Sequence, residues 1–205
     1  LTDFAENVEM DPYTVESIER TLFSSSPIGE LMPAPHWTSE RLEWIEVNKE
    51  KRRKMNKNNG YEVLQGSGKV QGSLIGGCIE VLEFAKQTIL WPEKEYWEGS
   101  ILFFETSEDK TAPDYVKYWL RNYAAQGILK AANGIVFAKP YDEAYYEEYK
   151  MVILTVLQEY GLTDVPVLYN LNFGHTEPKF ILPYGATAQI DADLGSFAIL
   201  ENGVE

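Results

Sequence analysis

Histidine, cysteine and positive charge are all in short supply in this chain of 205 residues, and each shortage excludes something. A single cysteine, Cys78, allows no internal disulfide, which fits a reducing compartment; a cytoplasmic location is the expectation. The two histidines, His36 and His175, stand far apart with no ligand-like spacing, so no metal site is expected. Eighteen basic residues against thirty-two acidic ones give a net charge of -14, which argues against nucleic acid or an anionic membrane as the main partner. A small phosphate-bearing ligand in a local basic pocket stays open. There is no apolar run of about twenty residues to form a transmembrane helix, and no basic-then-apolar start to suggest a signal peptide.

What is present is an ordinary globular composition, 44% hydrophobic and 24% charged, in a chain long enough to bury a real core. The opening LTDFAENVEMDPYT begins at Leu1 and reads as the interior of something longer, a fragment or a processed chain. Asp11-Pro12 is a capped helix start, with Val15, Ile18 and Leu22 on one face, and the helix is expected over about 12–24, before Ser24-Ser25-Ser26-Pro27. Trp37 and Trp44 fall in irregular sequence and are either core or a stacking platform for a planar ligand. The basic cluster Lys49 to Lys57 adjoins turn-forming Asn58-Asn59-Gly60 and reads as a solvated loop.

From Tyr61 onward short strands are punctuated by glycine: YEVLQ, then GSGKV, then QGSLIGG. Gly76 and Gly77 mark a strand giving way to a helix, either to present backbone amides to an anion or carbonyl oxygen, or simply to pack closely. Strands at 100–104, 134–138 and 165–171 alternate with helices at about 113–125 and 141–160. Short antiparallel strands over 180–186, 187–191 and 195–200 close the domain. The β-α-β-α-β succession implies an α/β fold with a small parallel sheet and right-handed crossovers. Consecutive parallel strands then end on one side, at Glu105, at Lys139 and at Asn172 to His175, so Glu105 and His175 can meet although seventy positions separate them.

A carboxylate bonded to imidazole fixes the ring tautomer and stabilises the imidazolium, two thirds of a charge-relay triad. His175 otherwise reads as a histidine satisfied by a nearby carbonyl. The nucleophile is missing. Cys78 is the internal candidate by residue type, although a cysteine followed by an apolar helix is more often buried and inert. Ser24 to Ser26 lack a strained strand-to-helix elbow. Lys139 is a candidate contact for a substrate carboxylate or phosphate, or a surface lysine.

Gly76-Gly77-Cys78 opening a helix, ILFFETSED at 101–109, GIVFAKPYDE at 134–143 and NFGHTEPKFILPYGATAQID at 172–191 together resemble the C-terminal domain of the serine peptidase family of LD-carboxypeptidases and microcin C self-immunity proteins. The resemblance implies a swivelling or barrel-like domain over 59–205 carrying the catalytic Glu105 and His175, and a helical and loop segment over 1–58 leading from an absent N-terminal domain that bears the nucleophilic serine. It implies no cofactor, a homodimer, and a peptidyl-nucleotide or small peptide as substrate. LD-carboxypeptidases usually have asparagine where this chain has Cys78, which leans away from murein tetrapeptides and toward the immunity branch. In that branch a tryptophan-bearing loop stacks on a nucleotide base, a role carried onto Trp37 and Trp44. The alternatives are LD-carboxypeptidase action on murein peptides and an inactive binding or dimerisation fragment.

Overall fold

The computed structural model describes residues 8–204; the residues before Val8 and the final Glu205 lie outside the described part of the chain. The centre of the molecule is one long strand, β5 (Lys69–Cys78), which joins GSGKV and QGSLIGG without the break that the glycines suggest. Its first half pairs antiparallel with β9 (Thr187–Asp191) and its second half pairs parallel with β6 (Ile101–Glu105). Gly72 and Gly76 let the neighbouring backbone approach here. A Cβ at either would lie 2.1 Å from the Gly99 carbonyl oxygen or 1.8 Å from that of Phe103.

Beyond β6 the sheet continues in parallel through β7 (Gly134–Ala138) and β8 (Val167–Leu171), and ends with β4 (Glu62–Gln65) antiparallel to β8. On the other side β9 pairs with β10 (Ser196–Ile199), and β10 with β1 (Gly29–Glu30), giving an eight-stranded sheet in the order β1-β10-β9-β5-β6-β7-β8-β4. No pairing joins edges β1 and β4 among the described residues, so the sheet is open and the barrel alternative is set aside. A ribbon of β2 (His36–Trp37) and β3 (Asn56–Lys57) stands apart.

Strand alternation divides the apolar side chains into two cores. Leu102 and Phe104, Ile135 and Phe137, and Val167 and Tyr169 face the helices α2 (Ile79–Ala85), α4 (Pro113–Ala125), α5 (Ile128–Ala131) and α6 (Tyr146–Glu159). Ile101 and Phe103, Val136 and Leu168 face the opposite way, into a second core with Phe173, Phe180, Ile190 and Phe197. The short helix α3 (Lys94–Trp97) contributes Trp97 to the first.

Three expected elements differ. The helix α1 (Pro12–Leu22) buries Thr14, Ser17, Ile18 and Thr21 rather than the stripe Val15, Ile18 and Leu22, because Thr14 Oγ1 and Ser17 Oγ accept hydrogen bonds from the amides of Lys179 and Ile181. The helix expected over 141–160 begins only at Tyr146. Before it, Asp142, Glu143 and Tyr145 have positive φ, and Tyr141 and Asp142 are tied to Ser39, Asp142 to Lys110 and Glu143 to Lys139. These ties override helix propensity. Residues 180–186 are not a strand, since the amides of Phe180 and Ile181 are spent on the Asn172 carbonyl and Ser17 Oγ, outside any ladder.

Candidate active site

The parallel strands all end at one edge of the sheet, where α/β folds collect their chemistry. Glu105 is the last residue of β6, and His175 lies four positions beyond the end of β8, in a loop that returns toward β6. His175 Nδ1 donates to Glu105 Oε2 at 2.5 Å. The hydrogen bond to Glu105 raises the His175 pKa above its ordinary value; burial opposes this, and the carboxylates of Glu105 and Glu108 add to it. Gly174 makes the approach possible: its φ is +85°, and a Cβ there would sit 2.6 Å from Glu105 Oε2. The glycine before the histidine is therefore a steric requirement of the pair.

The loop is held from several sides. The Asn172 carbonyl accepts from the Phe180 amide, Asn172 Oδ1 accepts from the Ala34 amide, and Glu177 exchanges backbone hydrogen bonds with Thr38. The residues after β6 are braced by Glu80, whose Oε1 accepts from the Ser107 amide at 2.9 Å, from Ser107 Oγ at 2.7 Å and from Thr111 Oγ1 at 2.9 Å. Burial works to raise the Glu80 pKa, but these donors outweigh it and the carboxyl is held low.

Sequence reasoning did not pick out Glu108 and Arg41. Glu108 Oε2 lies 3.1 Å from His175 Nε2, on the opposite side of the ring from Glu105, and Glu108 Oε1 lies 3.1 Å from Arg41 Nη1. The acidic run after β6 was a signal for Glu108; nothing in the sequence marks Arg41.

Other expected site residues are placed differently. Trp37 is 5% exposed and packs under the Lys139 ammonium, 4.5 Å from its ring centre, so of the two readings it takes the core one. Trp44, in contrast, is 66% exposed, on the loop that carries Arg41. Lys139 is neither a surface lysine nor open to a ligand: it is 1% exposed and bonds Glu143 Oε1 at 2.7 Å. Burial lowers its pKa. A group so enclosed braces the turn after β7 instead of meeting a substrate from solvent. Gly76 is explained by its contact with the Phe103 backbone, and Gly77 lies beside Tyr184, whose hydroxyl would be 3.3 Å from an added Cβ.

Cys78 is a poor nucleophile. Burial pushes its thiol pKa up, the Glu105 carboxylate adds to this, and Sγ donates to Glu80 at 3.2 Å. Among the described residues no group of three His, Cys, Asp or Glu side chains could hold a metal ion, and no helix is long and apolar enough to cross a membrane.

Comparison with known proteins gives the family. Among curated proteins the chain is 29% identical over 189 residues to the "Putative carboxypeptidase YocD" of Bacillus subtilis, covering 91% of this chain and 54% of that protein. It is 27% identical over 207 residues to the microcin C7 self-immunity protein MccF of Escherichia coli, covering 98% of this chain and 57% of that protein. The chain thus spans little more than half the length of these relatives. An MccF-like protein from Streptococcus pneumoniae, solved in complex with AMP, superposes with a TM-score of 0.83 at 31% identity, over 93% of this chain and 58% of that one. MccF in complex with glutamyl sulfamoyl guanosine superposes with a TM-score of 0.76 at 26% identity, over 96% of this chain and 58% of that one. Residues 71–190, more than half of the sequence, match the LD-carboxypeptidase C-terminal domain, and the chain belongs to that family.

Proposed function

We propose that this chain supplies the acid-base half of a serine-type carboxypeptidase, in which Glu105 orients His175 and an upstream domain brings the serine. The observation that carries the reading is the 2.5 Å hydrogen bond from His175 Nδ1 to Glu105 at the carboxyl edge of the parallel strands. With Nδ1–H committed to Glu105, Nε2 is the atom that takes the serine proton as the hydroxyl attacks the acyl carbon. The imidazolium then gives that proton to the leaving amine, and a water molecule repeats the cycle to release the acyl group.

The substrate we favour is the amide of a peptidyl- or aminoacyl-nucleotide. Support comes from the AMP and glutamyl sulfamoyl guanosine bound by MccF-like relatives, and from the exposed Trp44, which has a free face for a base. The family description, an LD-carboxypeptidase domain, favours a second reading, LD-carboxypeptidase action, with murein tetrapeptides as the substrate we would assign to it. A chimera that places the serine-bearing half of MccF ahead of this chain tests both. Release of the adenosine 5′-phosphoramidate leaving group from an aminoacyl-adenylate amide, lost on His175→Gln or Glu105→Gln and weakened at least about tenfold in KM by Trp44→Ala, supports the first. D-alanine release from tetrapeptide with no phosphoramidate release supports the second, and hydrolysis that survives His175→Gln refutes the acid-base assignment.

A further inference from the structure

The His175 ring lies between two carboxylates that differ in permanence. Glu105, on Nδ1, comes from a central strand and its side chain is 10% exposed; Glu108, on Nε2, comes from the following loop and is 41% exposed. Arg41 holds the other oxygen of Glu108 and is the cation that faces the ring. At the same edge Cys78 pairs in register with Glu105, its thiol kept neutral by burial, and Glu80 accepts from that thiol and from Ser107 and Thr111.

We propose that Glu108 is a removable cap on His175: it occupies the Nε2 atom that must accept a nucleophile's proton, and it retreats onto Arg41 when a hydroxyl takes its place. The inference rests on the acid-base role proposed above and adds its regulation. A carboxylate on each ring nitrogen asks both to carry hydrogen, and an imidazolium has no lone pair with which to act as a base. The two contacts of Glu108 are exposed to solvent and therefore weak and exchangeable. The backbone on either side does not share this freedom, because Ser107 and Thr111 are both anchored to Glu80. One side chain can swing while the loop that carries it stays in place. The site is thus held off in the absence of a nucleophile and released by its arrival, with no rearrangement of the sheet.

NMR titration of the imidazole protons of this chain tests the proposal, with His36 as internal reference. Glu108→Gln lowers the His175 midpoint, giving about threefold more neutral ring at a given pH, and Glu108→Asp retains most of the native value. Arg41→Met raises the midpoint, because the cation that competes for Glu108 is gone. A merely structural Glu108 does not produce opposite shifts in these two variants. An unchanged or raised midpoint in Glu108→Gln, or a lowered one in Arg41→Met, overturns the cap. Glu105→Gln separates the two levels of the argument: if it moves the midpoint and Glu108→Gln does not, the cap falls and the acid-base pair survives. If Glu105→Gln leaves the midpoint in place, the pair itself falls.

Discussion

Replacing Gly174 by alanine puts the geometry of the site to a quantitative test. Two separate costs apply. The first is conformational: φ at this position is +85°, where an L side chain costs about 1–2 kcal/mol. The second is steric, because the new Cβ would lie 2.8 Å from the Cβ of Glu105 as well as 2.6 Å from its carboxylate. The carboxylate can rotate away, but the Glu105 Cβ is fixed by a strand in the middle of the sheet, so backbone must move, at about 1–3 kcal/mol. The sum is about 2–5 kcal/mol. Gly161→Ala is the control. Its φ is +69°, with nothing within 4 Å of an added Cβ, so it carries the conformational cost alone. Urea denaturation of the two variants, compared at equal m-values, isolates the steric part as a difference of about 1–3 kcal/mol. In Gly174→Ala the displaced Glu105 also lowers the His175 midpoint by NMR. Equal losses of stability in the two variants refute the claim that this glycine exists to admit the carboxylate.

Lys139→Ala leaves a cavity under Trp37 and Tyr146 and is expected to cost about 2–4 kcal/mol, whereas Lys139→Met keeps the stem packed and costs about 1 kcal/mol or less; equal losses in chemical denaturation indicate that charge, not packing, dominates there. Cys78 in the folded chain is expected to react with iodoacetamide at pH 8 at least about tenfold more slowly than in urea-unfolded chain, and a matching rate refutes the inert assignment. The raised His175 pKa fixes the sign of a pH effect. The stability contributed by the bound imidazolium is fully present below the unfolded midpoint near 6.5 and is lost as the pH rises through the higher folded midpoint. Unfolding free energy therefore falls across that window, His175→Gln flattens the fall, and a contribution that grows with pH contradicts the pairing.

The parts of the fold legible in the sequence were those in which local signals agree with tertiary ones. Strand 134–138 and helix 113–125 run as expected, one a short apolar run before a lysine, the other opened by proline with Val116, Leu120 and Tyr123 inward. Glu105 and His175 could be chosen as a pair because parallel strands impose a common edge, Glu105 ending one apolar run and His175 standing in the loop just past another. Residues 141–145 misled for the opposite reason: they carry no glycine, yet three of them take positive φ, Asp142 bonded to the sequence-distant Ser39 and Lys110 and Glu143 to Lys139. Lys139 looked exposed because lysine usually is; it is enclosed by an aromatic pair that only the β2–β3 ribbon and α6 bring together. Arg41 is one of several basic residues in polar sequence. Its place beside Glu108 depends on how a loop after β2 folds over strands it does not join.

A break in strand alternation decides which way the His175 loop leaves the sheet. Leu168 pairs with Val136 and Leu171 with Ala138, three steps along β8 against two along β7, and Asn170, at φ +71°, is the extra residue. Were residues 167–171 to alternate regularly, Leu171 would face the helices with Val167 and Tyr169; the bulge puts it with Leu168 in the other core, followed by Phe173. Asparagine suits the position twice over. It tolerates left-handed backbone, and its Nδ2 donates to the Gly60 carbonyl at 2.5 Å. Asn170→Gly keeps the backbone and loses that bond, an expected cost of about 1 kcal/mol. Asn170→Val loses the bond and forces a branched side chain into strained backbone, at about 2–4 kcal/mol. Deleting Asn170 is the decisive case, because it removes the bulge yet leaves Leu168 and Leu171 two steps apart, so that Leu171 and Phe173 keep their faces just before Gly174. The deletion should keep the elevated His175 titration, as Asn170→Gly does. A deletion variant that no longer titrates like the native chain means that strand register is not what brings His175 to Glu105.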